Sequence, residues 1–202
     1  MIRVWMDIDG VLNLLGTPPA GVGLDVGPVV RLDTGIPWEE HELRTGHGGP
    51  SRREAQRRIV ERTRHYPIRL DHNNDQRLSD LESRSVHIEW VTTWNDLAPT
   101  VFAPHVGHGH EWPVVTVGQI PLAGKYPSVV PQLEAADEAG DKVLWIDDDP
   151  GRPMGTVTKI RTDPVAKPLM DRDQFVLLRP RQNRGLADVW NDVLTTLERW
   201  GA

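Results

Sequence analysis

Two aspartates separated by one residue follow an apolar run at the start of the chain, in the segment RVWMDIDGVLN at residues 3–13. Because a strand alternates its side chains between two faces, Asp7 and Asp9 begin on the same face. Clustered carboxylates repel each other and need a cation or a shared proton. The pattern therefore predicts a Mg²⁺ site with a carboxylate nucleophile. The alternative is an ordinary Asp-Gly turn that closes a strand.

Three later segments supply further groups that such a site would use. They are HIEWVTTW at residues 87–94, GKYP at 124–127 and KVLWIDDDP at 142–150. The first ends in two hydroxyl groups, the second places one lysine before a helical stretch, and the third ends in three aspartates. If the apolar runs are parallel strands, these groups meet at the carboxyl edge of the sheet, where open α/β sheets bind ligands.

Residues 2–150 resemble the haloacid-dehalogenase-like (HAD) phosphohydrolase superfamily, whose motifs are DxD, a Thr or Ser, a Lys and an acidic pair. The segments DIDGVLN, WVTTW and WIDDD are more narrowly similar to the HAD domain of bacterial multi-enzyme RNA-repair proteins. The resemblance implies a magnesium-dependent phosphatase that works through an aspartyl-phosphate. Phosphorylated RNA or DNA ends are the expected substrates.

The resemblance also assigns roles near the first motif. Asp7 is expected to attack phosphorus, while Asp9 protonates the leaving oxygen and later activates water. An acid at the second position favours hydrolysis. Asn13 is a candidate for binding the substrate, with capping of the turn as the alternative.

The later motifs complete the predicted site. Thr92 is expected to bind the transferring phosphate, although the sequence does not decide between Thr92 and Thr93. Lys125 is expected to neutralise the nucleophile and a phosphate oxygen. The predicted Mg²⁺ ligands are Asp7, the backbone carbonyl of Asp9, Asp147 and Asp148, which match the preference of this ion for oxygen.

Composition excludes several classes of function. The 202 residues include no cysteine, so disulfides, thiolate catalysis and cysteine-ligated zinc are ruled out. A net charge of −6 argues against a general nucleic-acid-coating protein. No apolar run approaches the roughly 18 residues that a membrane span needs. A cytoplasmic protein with no membrane partner is the expectation.

Alternating strand and helix patterns predict an α/β, Rossmann-like HAD fold, with a mostly parallel sheet and helices on both faces. The expected strands are residues 2–7, 86–91, 114–117, 143–146 and 175–178. The expected helices are residues 52–64, 75–83, 127–139 and 185–200. We expect a single domain over 1–202 with a small flap or cap insertion at about 14–85, whose own short strands are 29–32 and 42–44. A small flap leaves the site open and favours large substrates.

Several alternatives stay open at this stage. The protein could be a nucleotide or small-molecule phosphatase, or a non-catalytic HAD-like module that binds RNA or protein. A response-regulator-like receiver is disfavoured, because receivers place their acidic pair before the phosphoacceptor.

Residues 51–65 hold six arginines and two glutamates, typical of a solvated helix, with a phosphate-binding surface as the alternative. A flexible loop is favoured over a zinc site for His105, His108 and His110.

Overall fold

The computed structural model describes part of the chain in detail. The described ranges are residues 1–17, 19, 24–32, 64–117, 125–149 and 156–202, with the backbone alone at 24–32, 64–67 and 156–158. The chain divides into two units, one formed by residues 1–25 and 69–202 and the other by residues 26–68. The organisation as one domain with an insertion at about 14–85 stays a prediction.

Strands and helices alternate along the described residues. The strands are β1 (Ile2–Met6), β2 (Leu24–Leu32), β3 (Arg64–Asp71), β4 (His87–Trp90), β5 (Lys142–Ile146) and β6 (Phe175–Leu178). The helices are α1 (Asn74–Glu82), α2 (Ala103–Val106), α3 (Tyr126–Ala139), α4 (Thr156–Thr162), α5 (Ala166–Asp171) and α6 (Leu186–Trp200). A π-helical turn, Ala98–Phe102, directly precedes α2.

The main sheet of the described residues has four parallel strands in the order β4-β1-β5-β6. β1 lies between β4 and β5, so the chain leaves β1 toward one side of the sheet and later returns to the other. Such a reversal of strand order opens a crevice at the carboxyl ends of the strands. β2 and β3 form a separate two-stranded sheet.

The central strands are apolar because both faces of the sheet are covered. Trp5 and Trp145 lie on the same face as neighbours on β1 and β5, with their rings edge to face at 6.1 Å. Val129 and Leu133 of α3 belong to the same buried cluster. α6 packs against β5 and β6, and its buried residues lie outside that cluster. Continuous apolar strands of this kind are typical of parallel sheets with helices on both faces.

The helix boundaries follow from local sequence signals. α3 has Pro127 in its first turn and ends at Gly140, whose φ of 69° is in the left-handed region. α6 repeats apolar residues at helical spacing, so that Val189, Val193 and Leu197 share its buried face. The same signals place the two helices within one residue of the bounds expected from the sequence.

The α/β fold prediction is confirmed, but the strand expected at residues 114–117 is wrong. Val114 makes only an isolated bridge to Trp90. The side chain of Asn95 instead receives the N–H of Val117 at 2.8 Å and donates to its carbonyl at 3.2 Å. Because Asn95 occupies both backbone groups, Val117 cannot use them in a strand ladder.

Other expectations fall partly on residues without a description. The predicted helix 52–64 lies outside the described residues except for Arg64, which begins β3. Residues 29–32 fall within β2, and residues 42–44 lie outside the described ranges. Among the described residues, no helix is both long and apolar enough to cross a membrane. The cytoplasmic location stays a prediction.

Candidate active site

Three neighbouring strands end in the same row of the sheet. Met6 on β1 pairs in register with Trp90 on β4 and with Ile146 on β5. The residues that follow are therefore side by side at the carboxyl edge. Asp7 donates its backbone N–H to the carbonyl of Ile146 at 3.1 Å, which ties the two acidic segments together. This register brings the predicted motifs to one place.

Lys125 joins the first and last motifs. Its ammonium contacts Asp7 Oδ2 and lies 2.8 Å from Asp147 Oδ2. All three side chains are buried. Burial opposes the charge on Lys125, but the carboxylates of Asp147 and Asp7 outweigh it and raise the pKa of the lysine. The lysine is therefore a fixed positive charge shared by two acids.

The two acids of the last motif have different surroundings. Asp147 uses its second oxygen, Oδ1, to accept the backbone N–H of Asp149 at 2.9 Å. Burial raises the pKa of Asp147 well above its ordinary value, and the charge of Lys125 opposes that rise. Burial and the nearby charge of Asp7 raise the pKa of Asp148 to about 6. Asp148 therefore titrates within the range of ordinary buffers.

The arrangement fits a divalent cation. Asp7, Asp147 and Asp148 each offer a carboxylate oxygen, and these atoms lie within 4.8 Å of one another. Asp7 Oδ1 is buried and has no hydrogen-bond partner among the described residues. An orphaned, ionisable oxygen is costly in a protein interior unless a cation satisfies it. Oxygen ligands suit Mg²⁺, and the identity of the ion stays a prediction.

Gly10 allows the first and last motifs to approach each other. Its φ is 74°, a left-handed conformation that glycine adopts without strain. A Cβ atom at this position would lie 2.3 Å from Cγ of Asp148. The glycine is thus required both by the turn after Asp9 and by the closeness of Asp148.

The carboxyl group of Asp9 is held by two N–H donors. Asn13 Nδ2 donates to Oδ1 at 2.8 Å, and Trp94 Nε1 donates to Oδ2 at 2.9 Å. Burial, which is the largest influence, raises the pKa of Asp9. The amide of Asn13 also accepts the backbone N–H of Arg69 at 2.9 Å. These bonds favour a role in orienting Asp9 for Asn13, and its contact with substrate stays a prediction.

Thr92 and Thr93 differ in exposure. Thr92 follows the end of β4 and is fully buried, whereas Thr93 is exposed. The hydroxyl of Thr92 accepts the backbone N–H of Trp94 at 3.4 Å. Their roles in phosphate binding remain predictions.

The structure adds two supporting residues that sequence reasoning missed. Gln182 Nε2 donates to Asp148 Oδ2 at 2.6 Å. Arg179 donates to the backbone carbonyl of Asp148 from Nη2 at 2.8 Å and from Nε at 3.2 Å. Both residues follow β6, so polar residues just beyond the carboxyl end of that strand were the available signal.

The histidine cluster belongs to a different part of the described structure. His108 lies between Glu82, 2.8 Å from Nδ1, and Asp75, 3.1 Å from Nε2. Both ring nitrogens are therefore occupied by carboxylates of α1. His105 lies within α2 and is half-buried, and His110 is exposed. The arginine-rich segment 51–65 lies outside the described side chains.

Comparison with known proteins supports the fold. No protein-family model matches the chain, and no curated protein matches it either. Among solved structures, the chain is similar to the HAD domain of effector protein Lem4 from Legionella pneumophila. The TM-score is 0.50 and the identity is 12%, over 100% of this chain and 98% of that chain. At this identity the likeness concerns the backbone architecture, and that architecture is the HAD fold.

Proposed function

We propose that this protein is a magnesium-dependent phosphatase that forms an aspartyl-phosphate on Asp7. The observation that carries the proposal is the state of the Asp7 carboxylate. One oxygen contacts Lys125, while the other is buried without a hydrogen-bond partner among the described residues. A carboxylate held in this way at the carboxyl edge of a parallel sheet is suited to a metal and a phosphoryl group.

The proposed reaction has two displacements. In the first, an Asp7 oxygen forms a bond to phosphorus, the bond to the leaving oxygen breaks, and Asp9 gives that oxygen its proton. In the second, a water oxygen attacks the same phosphorus, Asp9 takes a proton from the water, and the Asp7 carboxylate is released with inorganic phosphate. Phosphoryl transfer depends chiefly on such positioning and on charge neutralisation.

Neighbouring side chains support both displacements. Lys125 neutralises Asp7 and a phosphate oxygen, and the hydroxyl of Thr92 binds another phosphate oxygen. Mg²⁺ held by Asp7, Asp148, Asp147 and the carbonyl of Asp9 would supply further positive charge at the phosphate. Gln182 Nε2 donates to Asp148 Oδ2 and so helps to orient the carboxylate that would hold the ion.

We further propose phosphorylated RNA or DNA ends as the substrate. The support is the sequence similarity of DIDGVLN, WVTTW and WIDDD to the HAD domain of RNA-repair proteins. A location in the cytoplasm is part of this proposal. Nucleotides and small phosphate esters are the competing substrates within the same chemistry.

The test is phosphate release from a panel of esters with and without Mg²⁺. The panel contains p-nitrophenyl phosphate, mononucleotides, and RNA and DNA oligonucleotides phosphorylated at either end. We expect release from the oligonucleotide ends and its loss in Asp7→Asn, which keeps the size of the side chain. Release from small esters alone would contradict the proposed substrate. A folded protein that releases nothing from any ester would contradict the phosphatase and favour a binding module.

A further inference from the structure

Trp94 makes a contact that the proposed reaction does not yet explain. Its indole N–H points at Asp9 Oδ2, at 2.9 Å, although the two residues are 85 positions apart in the sequence. Trp94 is 5% exposed, so water cannot easily replace this bond. A buried indole N–H needs an acceptor, and here the acceptor is the proposed acid-base group.

The indole is itself held in place. Its ring meets the ring of Phe102 edge to face at 5.6 Å. Its backbone N–H reaches the hydroxyl of Thr92, the proposed phosphate ligand, at 3.4 Å. Trp94 therefore connects the segment after β4 with the turn after β1. A rigid ring with few rotatable bonds is suited to fixing the position of another side chain.

The second oxygen of Asp9 is fixed independently. Asn13 donates to Oδ1 and is anchored through the backbone N–H of Arg69. With one donor on each oxygen, rotation of the carboxyl group about its terminal bond would break both hydrogen bonds. The orientation of Asp9 is thus determined by Asn13 and Trp94 together. Trp94 has no proton to exchange in the working range of pH, so it acts on Asp9 through this hydrogen bond, which fixes the carboxyl group and also lowers its pKa against the effect of burial.

We propose that Trp94 is the positioning residue that aims the Asp9 carboxyl group for proton transfer to the leaving oxygen. This inference rests on the proposed phosphatase function. It assigns a kinetic role to a tryptophan that acts through Asp9. A misaimed acid slows the reaction most where the leaving oxygen needs a proton, because proton transfer is then part of the rate-limiting displacement.

The test compares two substrates with different leaving groups. p-Nitrophenolate leaves readily without a proton, whereas the alkoxide from an alkyl phosphate does not. Trp94→Phe removes the N–H and keeps an aromatic ring against Phe102. We expect kcat/KM for the alkyl phosphate to fall about tenfold more than kcat/KM for p-nitrophenyl phosphate. The quantity kcat/KM is used because it reports the first displacement.

A matched control variant is available in the same chain. Trp112 also donates its indole N–H to a carboxylate, Glu82, at 3.0 Å. Trp112→Phe removes an equivalent bond away from Asp9, and we expect it to leave the ratio between the two substrates unchanged. If Trp94→Phe does not fold, benzothienylalanine at position 94 keeps the ring shape and lacks only the N–H.

The possible outcomes distinguish a failure of the positioning role of Trp94 from a failure of the proposed phosphatase activity. An equal fall for both substrates, or no change in their ratio, would overturn the role of Trp94 and leave the phosphatase intact. A folded wild-type protein that releases phosphate from neither of these substrates nor from the phosphorylated oligonucleotides would overturn the proposed function, and the inference with it. A selective loss with the alkyl phosphate, absent in Trp112→Phe, would establish the role.

Discussion

At the scale of single residues, the site depends on a buried lysine whose positive charge balances two neighbouring acids. Lys125 lies between Asp7 and Asp147, and all three side chains are almost fully buried. Removing one partner from such a group leaves a charge without compensation, which costs far more than losing an exposed ion pair. The lysine is therefore important to the folded state before any substrate binds.

Lys125→Met tests this structural role. In metal-free buffer we expect the free energy of unfolding to fall by about 3 kcal/mol, because two buried carboxylates lose their shared cation. Urea unfolding provides the measurement. Lys167→Met is the matched control, since Lys167 is exposed and pairs with Asp171 one helical turn away. That change is expected to cost less than about 1 kcal/mol. Similar losses in the two variants would contradict the assignment.

At the scale of elements, the turn after β1 sets the distance between the first and last motifs. Gly10 packs against the carboxyl group of Asp148 so closely that there is no space for a Cβ atom at position 10. The close packing of two loops is what brings carboxylates from different strands within 4.8 Å of one another, close enough to share one cation. A change in this turn should therefore act on metal binding as well as on stability.

Gly10→Ala is expected to weaken Mg²⁺ binding measured by titration calorimetry. The new Cβ would meet Asp148 at 2.3 Å and displace its carboxyl group. Gly16→Ala is the control because Gly16 has a similar φ of 80° and nothing within 4 Å of the new atom. Both variants carry the conformational strain of roughly 1–2 kcal/mol, so their difference isolates the effect on Asp148. Equal affinities in the two variants would refute this account.

His108 fastens the segment after α2 to α1 through Glu82 and Asp75. Burial opposes its charge, but hydrogen bonds to both acids outweigh burial and raise its pKa above 6.5. A raised histidine pKa gives stability that is complete below the unfolded value, about 6.5, and is lost as pH rises through the folded value. We expect the protection of the amides at residues 107–112 against exchange, corrected for the intrinsic effect of pH on the exchange rate, to fall across that window. His108→Gln should remove this dependence, and His110→Gln should preserve it; the opposite pattern would contradict the assignment.

The sequence predicted the strands that carry the site because each combines an apolar run with an abrupt polar end. β1 and β5 show this pattern clearly, and β4 ends where the hydroxyl residues begin. Residues 114–117 have the same apolar character but no ladder, because Asn95 takes the backbone groups of Val117. That competition depends on a contact across 22 positions, which local pattern does not reveal.

The supporting residues were harder to predict for the same reason. Trp94 and Gln182 act on acids that are distant in sequence, and both are also ordinary residues for a helix or a loop. The partner of Trp94 is decided only when β4 and β1 are in register, and the partner of Gln182 only when β5 and β6 are. The first and last motifs were recognisable because the two occur together, each as clustered aspartates directly after an apolar strand.

At the scale of the whole molecule, we expect metal binding at the candidate site to be coupled to folding. The acids of the candidate metal site come from the ends of β1 and β5, so the site exists only when the sheet is formed. A ligand that binds the folded state alone stabilises it according to its concentration and affinity. Mg²⁺ should therefore report on the integrity of the entire parallel sheet.

We expect Mg²⁺ to raise the unfolding temperature, and to do so less below about pH 6. The pKa of Asp148 is raised to about 6 by burial and by Asp7, so protons compete with the ion there. In metal-free protein this raised pKa means that stability falls as pH rises from about 3.8 to 6. Thermal unfolding at several pH values measures both effects. If Mg²⁺ raises the unfolding temperature equally above and below this range, the proposed metal site is contradicted. The same holds if Mg²⁺ raises the unfolding temperature of Asp148→Asn as much as that of the wild type.

The proposed aspartyl-phosphate on Asp7 can be detected by chemical trapping. The protein is mixed with Mg²⁺ and a phosphorylated substrate, and borohydride then reduces the acyl phosphate of a modified aspartate to homoserine. Peptide mass spectrometry locates the change. We expect homoserine at position 7, and we expect it only when both Mg²⁺ and substrate are present. Phosphate release without any change at Asp7, or with homoserine at another aspartate, would contradict it.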